Sequence, residues 1–313
     1  MTDRAPDRDF VFNIVWTGIV FPYLSHLVAT QLAQSDARFR FVLNACAPDQ
    51  IGLMEAFAEA HPGRVVEMIV VSDDAMITHG AALDRILTTR DDGEFFCLVD
   101  SDIAASGPYV ADFADRLAAG AAGITSGRGI WSESDVIPEG HAGVNGEYFY
   151  GPDGYLFGSP HFAMYRRDAL LEVRERWDIG FGSGAGLSDE ALAVLAAAGQ
   201  NYWLYDTGKL LNVFLQESGH RLEHREHASL LHIGGMSHYL SPPETVGQGG
   251  LMDLGTVDRE NWNPARLEVA EFSAAVLKAA VHHEPVPEVP AGLDPDTTAK
   301  LTLVRTTILD AVG

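Results

Sequence analysis

The sequence predicts an α/β fold with a mostly parallel central sheet flanked by helices. Three observations predict it. From Phe10 to Asp102, short apolar runs of strand length alternate with segments whose apolar residues recur at helical spacing. Phe95-Phe96-Cys97-Leu98-Val99 is apolar throughout, as a strand covered on both faces must be. Turn-forming residues close the runs at Thr17-Gly18, Ala47-Pro48 and Ser72-Asp73-Asp74. Right-handed βαβ units are the economical way to join such pieces.

In order, Phe10 to Trp16 is the first strand. Pro22 to Gln34 is a helix with Leu24, Leu27, Val28 and Leu32 on one stripe and proline near its start. Arg40 to Cys46 is the second strand. Gln50 to Ala60 is a helix with Met54, Phe57 and Ala58 inward, stopped by Pro62-Gly63. Val65 to Val71 is the third strand, and Gly80 to Arg90 a helix with Leu83, Ile86 and Leu87 on one side. The fourth strand runs from Phe95 into Asp100-Ser101-Asp102-Ile103. The loops at Thr17, Asn44, Asp73 and Asp102 should then converge on one edge of the sheet.

Further on, Pro108 to Ala119 reads as a helix and Gly123 to Gly127 as a short strand. Glu147 to Phe157 reads as an aromatic β-hairpin around Gly151-Pro152-Asp153-Gly154, either a pocket wall or packing on the sheet. Phe162 to Tyr165 is a strand and Arg167 to Trp177 a helix. Gly180, Gly182, Gly184 and Gly186 crowd a segment with no strand feeding it and no lysine after it, so it is no phosphate loop. Ser188 caps a helix from Asp189 to Ala198, with Leu192 and Leu195 inward. Asn201 to Tyr205 and Leu210 to Leu215 read as strands. His220, His224 and His227 are either ligands on one helix face or members of a solvated segment, the second being the commoner case. Leu230 to Ile233 is a short strand holding His232. Ser241 to Asn263 is loop-rich, a lid candidate. Pro264 to Val281 is a helix with Val269, Ser273, Val276, Leu277 and Ala280 aligned. Glu284 to Pro295 is a stiff proline-rich linker. Thr297 to Val312 is a final helix, with Leu301, Val304, Ile308 and Val312 in line, that either docks back or makes a homodimer.

Composition narrows the function. A chain of 313 residues that is 47% hydrophobic can bury one large core or two small ones. Its net charge is −23, from 44 acids against 21 bases, of which only Lys209, Lys278 and Lys300 are lysine. Such a surface repels nucleic acid and anionic membranes. Cys46 and Cys97 fall in strands and have neither zinc-site nor disulfide-framework spacing. No stretch approaches membrane-spanning length, and Met1 to Asp9 reads as a polar, disordered lead rather than a signal peptide. The expected location is the cytoplasm.

The chemistry concentrates at Asp100 and Asp102. Carboxyl ends of parallel strands are where open α/β sheets bind ligands. Two carboxylates in a poorly solvated site repel unless something positive joins them. A hard divalent cation with a diphosphate is one remedy. The other reading has Asp100 capping the next helix and Asp102 facing water.

Four places together resemble nucleotide-sugar glycosyltransferases of the GT-A fold, nearest the large inverting family two. They are Asp100-Ser101-Asp102, similar to the Asp-x-Asp (DXD) signature; Pro160-His161-Phe162-Ala163-Met164-Tyr165-Arg166-Arg167-Asp168-Ala169-Leu170, similar to a strand-then-helix segment with paired bases; Trp177-Asp178-Ile179-Gly180-Phe181 followed by Ser188-Asp189-Glu190-Ala191-Leu192; and His232-Ile233-Gly234-Gly235-Met236-Ser237. The resemblance covers roughly Phe10 to Tyr239. It departs from the family in reading Asp-Glu for Glu-Asp at the third place, and in having Asn44 where an aspartate usually follows the second strand.

The resemblance implies a Rossmann-like GT-A domain over residues 10–240. Its nucleotide-binding half is 10–103 and its acceptor half, with the hairpin, 104–240. A lid and C-terminal helical extension make up 241–313. It implies transfer of a sugar from a UDP-, GDP- or dTDP-sugar to the hydroxyl of a small-molecule or saccharide acceptor, with inversion. It implies Mn2+ or Mg2+ held by Asp102, with Asp100 and His232 beside it. Thr17, Asn44, Asp73, Asp100 and Ser101 would contact the nucleotide, and Arg85 or Arg166 the diphosphate. Asp189, with Glu190 as its rival, would be the general base, worth about 10²–10⁴-fold. Three alternatives stand beside this reading: a retaining transferase, a non-catalytic nucleotide- or sugar-binding protein on the same fold, and a sugar-phosphate nucleotidyltransferase. The last would need a basic glycine-rich loop after strand one, and Thr17 to Pro22 has no base.

Overall fold

The first strand and helix set the pattern for the molecule. Val11–Gly18 forms β1 and Phe21–Ala33 forms α1, the helix opening with a proline in its first turn and burying Leu24, Leu27, Val28 and Leu32. The structure is a computed structural model that describes residues 10–91, 93–132, 155–158, 160–182, 186–197, 207–241 and 264–313. The alternation continues through β2 (Arg38–Cys46), α2 (Pro48–Ala60), β3 (Val65–Ser72), α3 (His79–Thr89) and β4 (Phe95–Val99). Thr78 caps α3 by accepting the Ala81 N–H at 3.2 Å. Then come β5 (Ile103–Ala105), α4 (Val110–Ala118), β6 (Gly123–Ser126), β7 (Phe162–Arg166), α5 (Arg167–Trp177), α6 (Asp189–Ala197) and α7 (Lys209–Glu217). The chain finishes with β8 (Leu222–His224), β9 (Leu230–His232), α8 (Met236–Leu240), α9 (Pro264–Val281) and α10 (Pro295–Val312).

Among the described residues, seven strands form one sheet in the order β3-β2-β1-β4-β7-β6-β8. β1 pairs in parallel with β2 and β4, and β2 with β3. β7 runs antiparallel to β4 and β6. The fold is therefore α/β, mostly parallel, with helices on both faces. β5 and β9 form a separate antiparallel pair.

Each face of the sheet carries its own core. On one, Phe12, Ile14 and Trp16 of β1 with Phe39 and Phe41 of β2 meet α1 and the last two helices. On the other, Val42, Leu98, Ala163 and Tyr165 meet α3, α5 and α7. Each fully buried large side chain here contributes about 1.5–3 kcal/mol of transfer energy. α10 returns onto this body, burying Leu301, Val304 and Ile308 and packing Val312 partly against the core. Among the described residues, no helix is long and apolar enough to cross a membrane. Both cysteines are free: Cys97 is buried and Cys46 half-buried, where burial pushes its thiol up to about 11.

Four sequence expectations change. Leu210 to Leu215 is helix, not strand: every residue from Lys209 to Leu215 is buried, and a helix buried all round shows no stripe to read. The run from Phe95 to Ile103 breaks after Val99 into a tight turn that carries both acids. Leu192 is half exposed at 50%, whereas Leu195 is buried. His220, His224 and His227 neither share a helix nor all face water. β8 pairs with β6, so His220 meets Glu172 at 3.0 Å, His227 meets Asp112 at 3.4 Å, and His224 lies between Thr125 and Glu226. Most of the expected hairpin, the strand at 201–205, the expected lid and the N-terminal lead lie outside the described residues.

Candidate active site

The site is assembled at the carboxyl ends of β1 and β4, which adjoin in the sheet. The order β3-β2-β1-β4 reverses direction there, since β2 and β3 grow to one side of β1 and β4 lies on the other. That is a topological switch point, where open α/β sheets leave a crevice.

Backbone pairing brings in the first imidazole. Val99 opposes Phe162 in the antiparallel β4–β7 ladder, and one step further the Asp100 N–H donates to the His161 carbonyl at 2.7 Å. Opposed residues of an antiparallel pair project to the same face. His161 Nδ1 accordingly lies 2.9 Å from Asp100 Oδ2. The turn that follows is held from beneath by Gln31, whose Nε2 donates to the carbonyls of Asp100 at 3.2 Å and Ile103 at 2.6 Å.

The second imidazole arrives through the β5–β9 pair, in which Ile103 opposes His232. The Ile233 N–H donates to the Asp102 carbonyl at 3.1 Å. His232 Nε2 lies 3.1 Å from Asp102 Oδ1 and 3.9 Å from Asp100 Oδ2. Its Nδ1 faces the Gly127 carbonyl, which turns Nε2 toward the acids. Asp102 Oδ2 accepts the Met236 N–H at 3.0 Å. Gly234 and Gly235, at φ +86° and +74°, turn the chain from β9 into α8. A Cβ on Gly234 would lie 2.4 Å from Trp131 Nε1, so glycine is required there.

Asp100, His161 and His232 each offer a ligand atom within 4.8 Å of the others, and Asp102 joins through His232. The two imidazole rings lie 4.4 Å apart, centre to centre. His79 Nε2, at the start of α3, is 3.9 Å from Asp100 Oδ1. Burial alone would raise the Asp102 pKa; the adjoining His232 and the Met236 N–H outweigh it and hold the carboxyl below the usual range. Burial alone would lower His232; Asp102, then Asp100, outweigh it and hold the imidazole above its ordinary value. Without a cation, the cluster is thus a buried ion pair of Asp102 with His232, flanked by Asp100 and His161.

The donor set fits a divalent cation. Two atoms each about 2.1 Å from a shared centre are about 3 Å apart at a right angle and about 4.2 Å apart when opposite. His161 Nδ1 at 2.9 Å and His232 Nε2 at 3.9 Å from Asp100 Oδ2 match those separations, and these three residues are the ones whose donor atoms gather.

Of the other sequence candidates, Ser101 is buried inside the turn. Thr17 and Asn44 are partners in the β1–β2 register, and Asn44 opposes Ser72, just before Asp73, so these positions follow one edge. Thr17 Oγ1 is buried with no hydrogen-bond partner among the described residues. Asn44 uses both ends of its amide on the backbone of Ile77, donating at 2.7 Å and accepting at 2.9 Å, and so clamps the loop into α3. Asp73 is exposed. Arg85 is also exposed, but its guanidinium donates to the Val71 carbonyl at the end of β3. Arg166 is at the wrong end: β7 runs antiparallel, so Arg166 opposes Phe95, and it binds Glu94 and Asp168. Asp189 and Glu190 are exposed in the first turn of α6, behind the Ser188 cap. The chain leading toward them is anchored on α3, where Asp84 accepts the Phe181 N–H at 3.0 Å and Gly80 meets the Phe181 backbone. Sequence reasoning missed His161, His79 and Gln31.

No protein-family model matches this chain, and no curated protein does. Among solved structures, a mannosyltransferase from Pyrobaculum calidifontis in complex with GDP-Man and Mn2+ is 14% identical over 99% of this chain and 88% of that one, with a TM-score of 0.42. The 1–349 fragment of S. aureus TarS in complex with UDP-GlcNAc is 12% identical over 96% and 91%, at 0.42. A 4-diphosphocytidyl-2C-methyl-D-erythritol synthase from Anaerococcus prevotii is 12% identical over 71% and 89%, also at 0.42. At this level of likeness nothing about substrate or chemistry transfers to this chain.

Proposed function

We propose that this chain is a metal-dependent glycosyltransferase that moves a sugar from a nucleoside-diphosphate sugar to an acceptor hydroxyl, with inversion. The observation that supports it most is the convergence of Asp100, Asp102 and His232 at the switch point of the sheet. A cation held there by these side chains would offset the charge that develops on a departing diphosphate. Thr17, whose buried hydroxyl has no partner among the described residues, and Asp73 line the edge along which the nucleoside would lie. The acceptor hydroxyl must lose a proton as it attacks, and Asp189 is the assigned base, with Glu190 beside it. Substitution of the true base by its amide should lower kcat about 10²–10⁴-fold and leave nucleotide binding intact.

The test is thermal unfolding with UDP, GDP and dTDP, each with Mn2+, with Mg2+ and with chelator. A ligand at 100 times its Kd adds about 2.7 kcal/mol of stability. A metal-dependent rise with one nucleotide, lost in Asp102→Ala, is the expected result and identifies the donor class. A folded protein that responds to no nucleotide under any condition overturns the proposal. The anomeric configuration of the product then separates inversion from retention.

A further inference from the structure

We infer that His161 is a direct ligand of the cation centre, so that the site presents two imidazoles and the Asp100 carboxylate, with Asp102 behind His232, and holds a divalent transition ion without nucleotide, with Mg2+ unable to replace it. This rests on the reading of Asp100, Asp102 and His232 as a cation site and adds to it a residue and a selectivity.

The placement of His161 follows from the architecture. It occupies the first position beyond the β4–β7 ladder, directly across from Asp100, and the Asp100 N–H to His161 carbonyl bond fixes that register. Its Nδ1 is 2.9 Å from Asp100 Oδ2, and its ring is 4.4 Å from that of His232. His232 reaches the cluster from the opposite direction in the chain, on β9. Two imidazoles from unrelated strands thus meet over the same carboxylate. His161 is about one-fifth exposed and His232 nearly buried, so the centre is open to solvent on the His161 side.

The donor atoms decide the metal class. Mg2+ prefers an oxygen cage and sheds water reluctantly, so two nitrogens among three protein donors suit it poorly. Carboxylate suits Mn2+ and imidazole suits the later first-row ions, so a mixed set favours a transition ion over Mg2+. With three protein ligands already gathered and water to fill the rest, the site should not need a diphosphate to hold the ion. The competing role for His161 is a hydrogen bond that orients Asp100 without touching a metal.

The experiment titrates chelator-treated full chain with Mn2+ in the absence of nucleotide. Bound ion is followed by electron paramagnetic resonance, and histidine nitrogens are counted by electron spin echo modulation. Two coupled imidazoles in the wild type, no displacement by a large excess of Mg2+, and one imidazole in His161→Ala and His161→Asn are expected. Removing even the outer partner of a metal ligand costs 10–100-fold in affinity, so loss of His161 is expected to cost about 100-fold. The asparagine variant retains a hydrogen bond to Asp100, and circular dichroism checks that both variants fold. The wild-type nitrogen count decides the matter even if neither does. One imidazole in the wild type, or unchanged Mn2+ affinity in folded His161 variants, overturns this inference. So does Mn2+ binding that appears only when a nucleotide is added, a result that leaves the proposed function standing. Absence of Mn2+ binding with and without nucleotide overturns both.

Discussion

Replacing Asp102 by asparagine tests the electrostatics on which the site depends. The side chain is 8% exposed. One oxygen faces His232 Nε2 at 3.1 Å and the other accepts the Met236 N–H at 3.0 Å. Asparagine is the same size and can still accept from Met236, so the change removes the charge and little else. A charge left unpaired in a protein interior costs about 3–5 kcal/mol. His232 can avoid most of that by releasing its proton, because Nδ1 keeps the Gly127 carbonyl as its partner. The expected loss is therefore that of a charged hydrogen bond, about 1.5–3 kcal/mol. Its pH dependence has a definite sign. The folded pKa of His232 is raised from 6.5, so its contribution is complete below 6.5 and fades as pH rises through the folded value. The folded pKa of Asp102 is lowered from 3.8, so its contribution is present above 3.8 and fades as pH falls through the folded value. The gap between wild type and Asp102→Asn should thus be widest between 3.8 and 6.5 and shrink as the solution becomes alkaline. Urea unfolding with chelator, at mildly acidic and alkaline pH, measures it. A gap that stays constant or widens on the alkaline side would refute the ion-pair account of the cluster.

Three further outcomes are expected. Mn2+ affinity should rise with pH by up to about ten-fold per unit while His232 remains protonated, because its proton must leave before Nε2 can bind a cation; calorimetry in buffers of different ionisation enthalpy should show proton release, and a flat profile excludes His232 as a ligand. Gly80→Ala should cost about 1–3 kcal/mol, since its Cβ would lie 2.4 Å from the Phe181 carbonyl oxygen and push α3 away from the segment leading to Asp189; an unchanged urea midpoint would show that this contact yields easily. Leu192→Ser should change stability by less than about 0.5 kcal/mol, whereas Leu195→Ala, at a position only 4% exposed, should cost about 2–5 kcal/mol.

The first half of the fold is readable because each strand there is a mostly apolar run of strand length, interrupted only by single polar residues such as Asn13, Arg40 and Glu67, and each helix carries an apolar stripe. Boundaries from β1 to α3 fall within two residues of expectation, and β4 starts at Phe95 as expected but ends early, at Val99. Farther along, the same reasoning had less to use. α7 is buried all round, so its apolar run resembles a strand. β5 and β9 are three residues each and gain their pairing from tertiary structure. The candidate site divides the same way. Asp100, Asp102 and His232 were found as motif residues, and the structure brings them together. His161 lies within the Pro160–Leu170 segment, yet its place beside Asp100 depends on β7 running antiparallel to β4, and sequence periodicity carries no strand direction. The same missing direction put Arg166 beside the diphosphate when it belongs at the other end of the sheet.

The position of Arg166 bears on how so acidic a chain could hold an anion at all. Much of its arginine is already committed to acids or carbonyls: Arg40 and Arg90 to Glu67, Arg166 to Glu94 and Asp168, Arg174 to Asp84, Arg305 to Glu288, and Arg64 to the carbonyls of Ser35 and Ala37. Among the described residues, the basic groups around Asp100 are instead imidazoles, from His79, His161 and His232. An imidazole is a weak and pH-dependent source of positive charge, but it is a good metal ligand. A cluster built this way reverses the local field by taking up a cation rather than by presenting a fixed charge. On the proposed function, nucleotide affinity and cation affinity are then one property of the chain, and a chelator removes both together.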